Sequence, residues 1–339
     1  MKIQALRHYS GIGGQAVLEG VMMRNKDQYA VSVRRENGEI ATDVGEFHGL
    51  LYGSVFRQIP FLRGIFVFLD SLSLGYRSLN YASSIFTDEE THAQPSPKSS
   101  NHTASAEKTE TDKNTKSKAH ETLFGVATFV LSLAIALILF TALPFLIASL
   151  FSKFIRSDVL LSLLEGALRI FLFIVYIRLI AQMEDTKRLF AYHGAEHKCI
   201  NCLESGHALN VENVRRASRL HRRCGSSFLL FVMLVSIVLF FFIRVRSVPY
   251  RILIRILLIP LISGISYELI LLAANSDFIL WRFLAKPGLM LQRLTTREPD
   301  DSMIEVGIRS VEAIFDWRSY LQDAFGIIRG EEESSDQSR

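Results

Sequence analysis

Apolar residues in this chain gather in long runs at 123–151, 159–182, 227–243 and 250–274. Each run is close to the roughly 20 residues that carry a helix across about 30 Å of hydrocarbon. The pattern therefore predicts a mainly α, polytopic membrane protein with about four transmembrane helices in a core at 122–274. The first run is free of charge and holds a single Pro144, which a helix bundle tolerates when neighbours satisfy the freed carbonyl. The second run carries Glu165, Arg169 and Arg178, and the fourth Arg255 and Glu268. Charges are costly in lipid, so these are expected to face the bundle interior or to snorkel, and Glu165 and Arg169, four apart, to pair on one helix face.

The flanking segments follow other periods. Residues 1–48 read as a small glycine-rich β unit, with "YAVSVRR" and "EIATDV" flanking "ENGE", an Asn-Gly hairpin signal. Ahead of them, Gly11, Gly13 and Gly14 in "SGIGGQAV" suggest tight turns or close approach to another group; neither phosphate-binding glycine pattern is met. Residues 49–87 are apolar but interrupted by Arg57, Pro60, Arg63, Asp70 and Arg77, which predicts interfacial helices or a re-entrant hairpin. The polar stretch 88–121 reads as a disordered linker. Residues 275–329 are expected to hold an interfacial segment and a cytoplasmic amphipathic helix with a stripe at Ile304, Ile308, Val311 and Phe315, and 330–339 a frayed acidic tail.

Charge then orients the spans. Lys187, Arg188, Lys198, Arg215, Arg216, Arg219, Arg222 and Arg223 all lie in the connection 183–226, far more than in the other connections. The positive-inside rule places that loop and both termini on the cytoplasmic side of the membrane. "MKIQALRHYSGIGGQ" lacks the apolar core of a cleavable signal, so insertion is expected to use an internal span. A net charge of +4 suits anionic lipid headgroups as partners, and no nucleic-acid-binding pattern is present.

The same connection carries the candidate chemistry. In "AYHGAEHKCINCLE", His193 and His197 are one helical turn apart and can share a divalent metal, with zinc expected. Glu196 makes the pattern H-x-x-E-H, with the glutamate placed to polarise a water as general base. An open zinc site wants a third protein ligand. Candidates are Glu204, His207, Cys202, His221 and Cys224, with His48 and Glu19 available if the β unit folds onto the loop. Cys199-x-x-Cys202 together with His221 and Cys224 offers a closed, non-catalytic alternative, since cytoplasmic thiols stay reduced. Gly194 within the helix costs roughly 1 kcal/mol of propensity.

The blocks "GGQAVLEGVMMR", "YHGAEHK", "SRLHRRCGSSFL", "GISYEL" and "LTTREPDDSMIEV" together resemble the YqhQ-like family, bacterial integral membrane proteins of unknown function described as predicted metal-dependent enzymes. The resemblance runs over nearly the whole chain except 88–121 and the acidic tail. It implies that His193, Glu196, His197, His221, Cys224 and Glu268 fall in signature segments, with Arg222 standing where the family usually has proline. Two functions follow as expectations. The first is a membrane-embedded hydrolase, with His193, His197, His221, Cys224 and Glu204 as metal-site residues, Glu196 as catalytic base, and a peptide or lipid substrate. The alternative is a metal-stabilised scaffold or transport component.

Overall fold

The computed structural model describes residues 8–93, 125, 127, 128, 130–242, 248–275 and 279–326. The chain divides into two compact units, one of Met1–Glu90, Ile177–Ser236 and Ile254–Arg339, the other of Thr91–Tyr176 and Ile237–Leu253.

The first unit opens with a four-stranded antiparallel sheet in the order β1 (Ile12–Val17), β2 (Gly20–Asn25), β3 (Gln28–Arg34), β4 (Ile40–Glu46). The Asn-Gly hairpin joins β3 to β4, with Gly38 at φ +88° closing the turn. The glycine-rich stretch ahead of it adds a second hairpin that alternation of polar and apolar residues did not mark. Successive strand residues point to opposite faces, and both faces here are covered. Ile12, Val21, Met23 and Ala30 join the main core, whereas Val17, Met22, Tyr29, Val31 and Val33 pack on Leu74, Ala82 and Ile85. Those three belong to α1 (Leu62–Ala93), one continuous helix preceded by a short 3-10 turn at Val55–Gln58. The expected helix pair or re-entrant hairpin is therefore replaced by a single helix. Its interrupting charges are neutralised by partners: Arg57 meets Asp70 at 2.8 Å and Arg63 meets Glu268 at 2.7 Å. The helix continues to Ala93, past the expected start of the linker at 88; residues 94–121 and the acidic tail lie outside the described residues.

Among the described residues, three helices are long and apolar enough to cross a membrane: α2 (Val130–Lys153), α3 (Asp158–Ile180) and a helix at Gly225–Phe242. In α2 a π turn at Ile138–Ala142 carries the Leu143 N–H back to the Ile138 carbonyl, a wider turn immediately before Pro144. Within the second unit Glu165 and Arg169 pair at 3.0 Å, and the Arg169 guanidinium also lies over the Phe240 ring. The fourth expected span is not one helix. It breaks at Leu258 into Val248–Leu257 and Ile259–Asn275, because Pro260 has no N–H to continue the ladder.

Two more helices complete the first unit's core, at Asp301–Glu312, capped by Asp300, and at Trp317–Phe325, capped by Asp316. The expected single amphipathic helix is thus two. Ile304 and Val311 from its stripe are fully buried against the sheet and the site helix.

Candidate metal centre

The H-x-x-E-H motif lies on α4 (Glu184–Glu204), which begins just after Ile180 at the end of α3. Glu184 and Asp185 occupy its first turn, where negative charge suits the helix dipole, and Lys187 pairs with Glu184 at 2.7 Å. From Phe190 onward almost every residue is buried between the sheet and the Asp301–Glu312 helix. Gly194 is needed for space. A Cβ there would run into the carbonyl oxygen of Arg297, whose N–H bonds the Phe190 carbonyl at 2.8 Å.

That approach of the 295–297 backbone fixes one histidine, and the loop before Cys224 fixes the other. His193 Nδ1 lies 2.8 Å from the Thr295 carbonyl oxygen, and His197 Nδ1 lies 2.7 Å from that of Arg219. A carbonyl can only accept, so both Nδ1 atoms carry their protons and donate; in the neutral ring this leaves Nε2 as the lone-pair nitrogen. Both Nε2 atoms point to the same place. His193 Nε2 is 3.2 Å from Cys224 Sγ, and the ligand atoms of His193, His197 and Cys224 all lie within 4.8 Å of one another, a group that could hold a metal ion. His197 Nε2 is buried without a hydrogen-bond partner, Glu196 Oε2 standing 3.5 Å away. An orphaned imidazole nitrogen facing a thiol and a second imidazole fits a divalent cation.

Burial by itself lowers the His193 pKa and raises that of the Cys224 thiol. Facing each other they overcome that tendency: His193, beside Cys224, Glu196 and the Thr295 carbonyl, is pushed up to about 9, and the two imidazoles hold the Cys224 thiol well below its usual value. The pairing favours the Cys224 thiolate, the form that binds metal. Glu196 Oε2 is also 3.8 Å from His193 Nε2. Its other side rests on β1, where a Cβ at Gly14 would stand 2.7 Å from Glu196 Cγ.

The remaining candidates go elsewhere. Glu204 lies on the histidine face two turns further along, but its carboxylate accepts from Ser10 N and Oγ, from Arg223 Nη2 at 3.2 Å, and stands 3.5 Å from His221 Nε2. His221 thus pairs with Glu204, its ring centroid 5.7 Å from that of His197. The His221 turn, where Arg222 replaces the resembling family's proline, is held by Gln292, whose amide bonds both the N–H and the carbonyl of His221. Cys199 and Cys202 do not form the closed alternative. At about 100° per residue they fall on the opposite side of α4, in the core, with Cys199 against Gly307 and Cys202 3.4 Å from the Ala208 carbonyl. His207 is exposed, His48 sits on the surface beside Glu46, and Glu19 pairs with Arg188. What the motif could not announce are Thr295 and Arg219, which serve through backbone oxygens that no side chain marks, and Gly14, legible only as a glycine prepared for close approach.

A cavity of about 780 Å³ opens beside the cluster. His193, Glu196 and Cys224 stand on its wall, with the edge of β1 and apolar residues such as Phe68 of α1 and Phe228 of the Gly225–Phe242 helix. The volume is within the roughly 300–1,000 Å³ of small-ligand sites.

Comparison with known proteins gives the chain a family. Residues 59–317 match the family described as "Protein of unknown function (DUF1385)". The chain is also 34% identical over 308 residues to "Uncharacterized protein YqhQ" of Bacillus subtilis (strain 168), covering 88% of this chain and 90% of that one. No solved structure matches.

Proposed function

The chain belongs to the DUF1385 family, whose description assigns no activity, and from the site itself we propose a membrane-associated, zinc-dependent hydrolase acting at the cytoplasmic face of the cell membrane. One observation carries the reading: the half-buried His193 and the buried His197, each held at Nδ1 by a carbonyl, aim Nε2 at Cys224 Sγ beside the Glu196 carboxylate. Three protein ligands leave the fourth tetrahedral position open, the arrangement of catalytic rather than structural zinc. Zinc bound there supplies Lewis acidity. Glu196 is then the general base. It takes a proton from the attacking water as the new C–O bond forms, and delivers it to the leaving group as the old bond breaks. Thr295 and Arg219 hold the rings in the ligating tautomer throughout.

The membrane part of the reading rests on chain order. Cys224 immediately precedes Gly225, the first residue of a helix long enough to cross a bilayer, and α4 starts four residues after another. The basic residues of 183–226 suit the cytoplasmic side and anionic headgroups.

Elemental analysis of the purified full-length protein is expected to give about one zinc per chain, with His197→Ala losing it and Glu196→Gln keeping it. A folded wild-type protein without metal overturns the reading. A zinc-holding wild type with no hydrolytic turnover, whose cellular role survives Glu196→Gln, would move the protein to the metal-stabilised scaffold or transport alternative.

A further inference from the structure

The sheet has two edge strands, β1 and β4, and the β1 edge runs past Glu196. β1 pairs only with β2, and the two-residue connection Leu18–Glu19 makes Val17 and Gly20 a hydrogen-bonded pair. Antiparallel alternation then sends the backbone groups of Gly13, Gln15 and Val17 toward β2 and those of Ile12, Gly14 and Ala16 outward. The Ile12 N–H bonds Ser10 Oγ at 3.3 Å. The outward N–H and C=O groups of Gly14 and Ala16 have no protein partner among the described residues. Exposed edges are ordinarily blunted by proline, charge or a bulge, and "IGGQAV" has none of these. The edge faces instead into the cavity that holds the metal group, Gly11 to Ala16 being part of its lining. Arg24, Lys26 and Arg223 also line that cavity, and Glu196 is the one carboxylate among its lining residues.

We infer that β1 is a substrate-docking strand: an extended, acidic peptide segment adds to it as a fifth strand, bonded to Gly14 and Ala16, and passes its scissile amide in front of Glu196. This inference rests on the hydrolase reading and assigns its substrate class. A repeating row of outward N–H and C=O groups is matched by another polypeptide backbone; an acyl chain offers nothing to pair with it. The reaction is amide hydrolysis. Water oxygen bonds to the carbonyl carbon, the C–N bond breaks, and Glu196 carries one water proton to the departing nitrogen; the second proton leaves the new acid for the amine, giving a carboxylate and an ammonium.

The test uses full-length Glu196→Gln protein, zinc-loaded in detergent micelles, with a fluorescent library of Asp- and Glu-rich octapeptides read by anisotropy. The tightest octapeptide is then remade with N-methyl groups on alternate amides, in each of the two registers. One register is expected to lose at least about tenfold in affinity and the other to keep it, because alternate amides face the edge strand. Adding Ala16→Pro, which removes an outward N–H and leaves the β1–β2 bonds intact, is expected to give a similar loss with zinc content unchanged. If that variant does not fold, the N-methyl comparison decides alone. Equal binding in both registers overturns the inference. So does a zinc-loaded protein that ignores the octapeptides, and if the wild type then hydrolyses phosphatidylglycerol vesicles instead, the hydrolase reading is left standing. A folded chain that takes up no zinc ends the hydrolase reading and this inference with it.

Discussion

Gly14 and Glu196 touch across the seam between sheet and helix, so closely that a Cβ on the first would stand 2.7 Å from Cγ of the second and 2.9 Å from its Oε1. The missing side chain fixes where the carboxylate sits. Gly14→Ala is expected to displace Glu196 while the two imidazoles and Cys224 remain in place. Turnover of a cleaved peptide should then fall by about a hundredfold, the usual cost of an ångström of misplacement, with zinc content close to wild type. Steady-state kinetics alongside elemental analysis check the split.

Gly194→Ala sets helix propensity against packing. Alanine is the better helix former by about 1 kcal/mol, so α4 taken alone would gain. The added Cβ collides with the Arg297 carbonyl, however, and overpacking of this kind costs about 1–3 kcal/mol. The expected outcome is net destabilisation in chemical denaturation, together with weakened zinc binding as the Thr295 carbonyl is pushed off His193. A stabilised protein with normal metal content would contradict this account.

Zinc binding should release protons. His193, pushed up to about 9, is protonated near neutrality, and it must be neutral at Nε2 to ligate. Affinity is therefore expected to rise by about tenfold per pH unit from 7 toward 9 and then level off. The Cys224 thiol is held well below its usual value by the two imidazoles, so its share of the release is the smaller. Calorimetry in two buffers of different ionisation enthalpy measures the proton count.

Asp300 caps the helix that packs against α4, its carboxylate accepting from Met303 N at 3.0 Å and Ser302 Oγ at 2.6 Å. Partial burial would raise its pKa, but these bonds bring the net value below the usual aspartate range. A depressed folded value means the contribution is present above the unfolded pKa of about 3.9 and disappears as pH falls through the folded one. Asp300→Ala should cost about 1 kcal/mol at neutral pH and lose less stability than wild type on acidification, as denaturation curves at a series of pH values would register.

The legible parts of this molecule are those whose chemistry is local. His193, Glu196 and His197 read as one helical face because i, i+3 and i+4 determine it, and Cys224 stood out as a thiol at the start of an apolar run. The Asn-Gly turn marked the β3–β4 hairpin for the same reason. β1 and β2 escaped notice because β2 is buried on both faces, which turns its pattern into "GVMMRN", and because the tight turns place Glu19 and Lys26 at positive φ where glycine or asparagine is the usual sign. The charges of α1 and of the turn before it read as interruptions because their partners, Asp70 for Arg57 and Glu268 for Arg63, are known only in three dimensions. Pro260 was visible, but which side of it the ladder would fail on was not. The carbonyls of Thr295 and Arg219 are the extreme case, since every residue has one.

Those two carbonyls also set a timetable. Because one imidazole is steadied from position 219 and the other from position 295, a nascent chain still short of the second carries its motif complete in letters and unfinished in space. Cofactor uptake should therefore be a late step of biogenesis, and ribosome-bound intermediates stalled before that point should emerge without the cation.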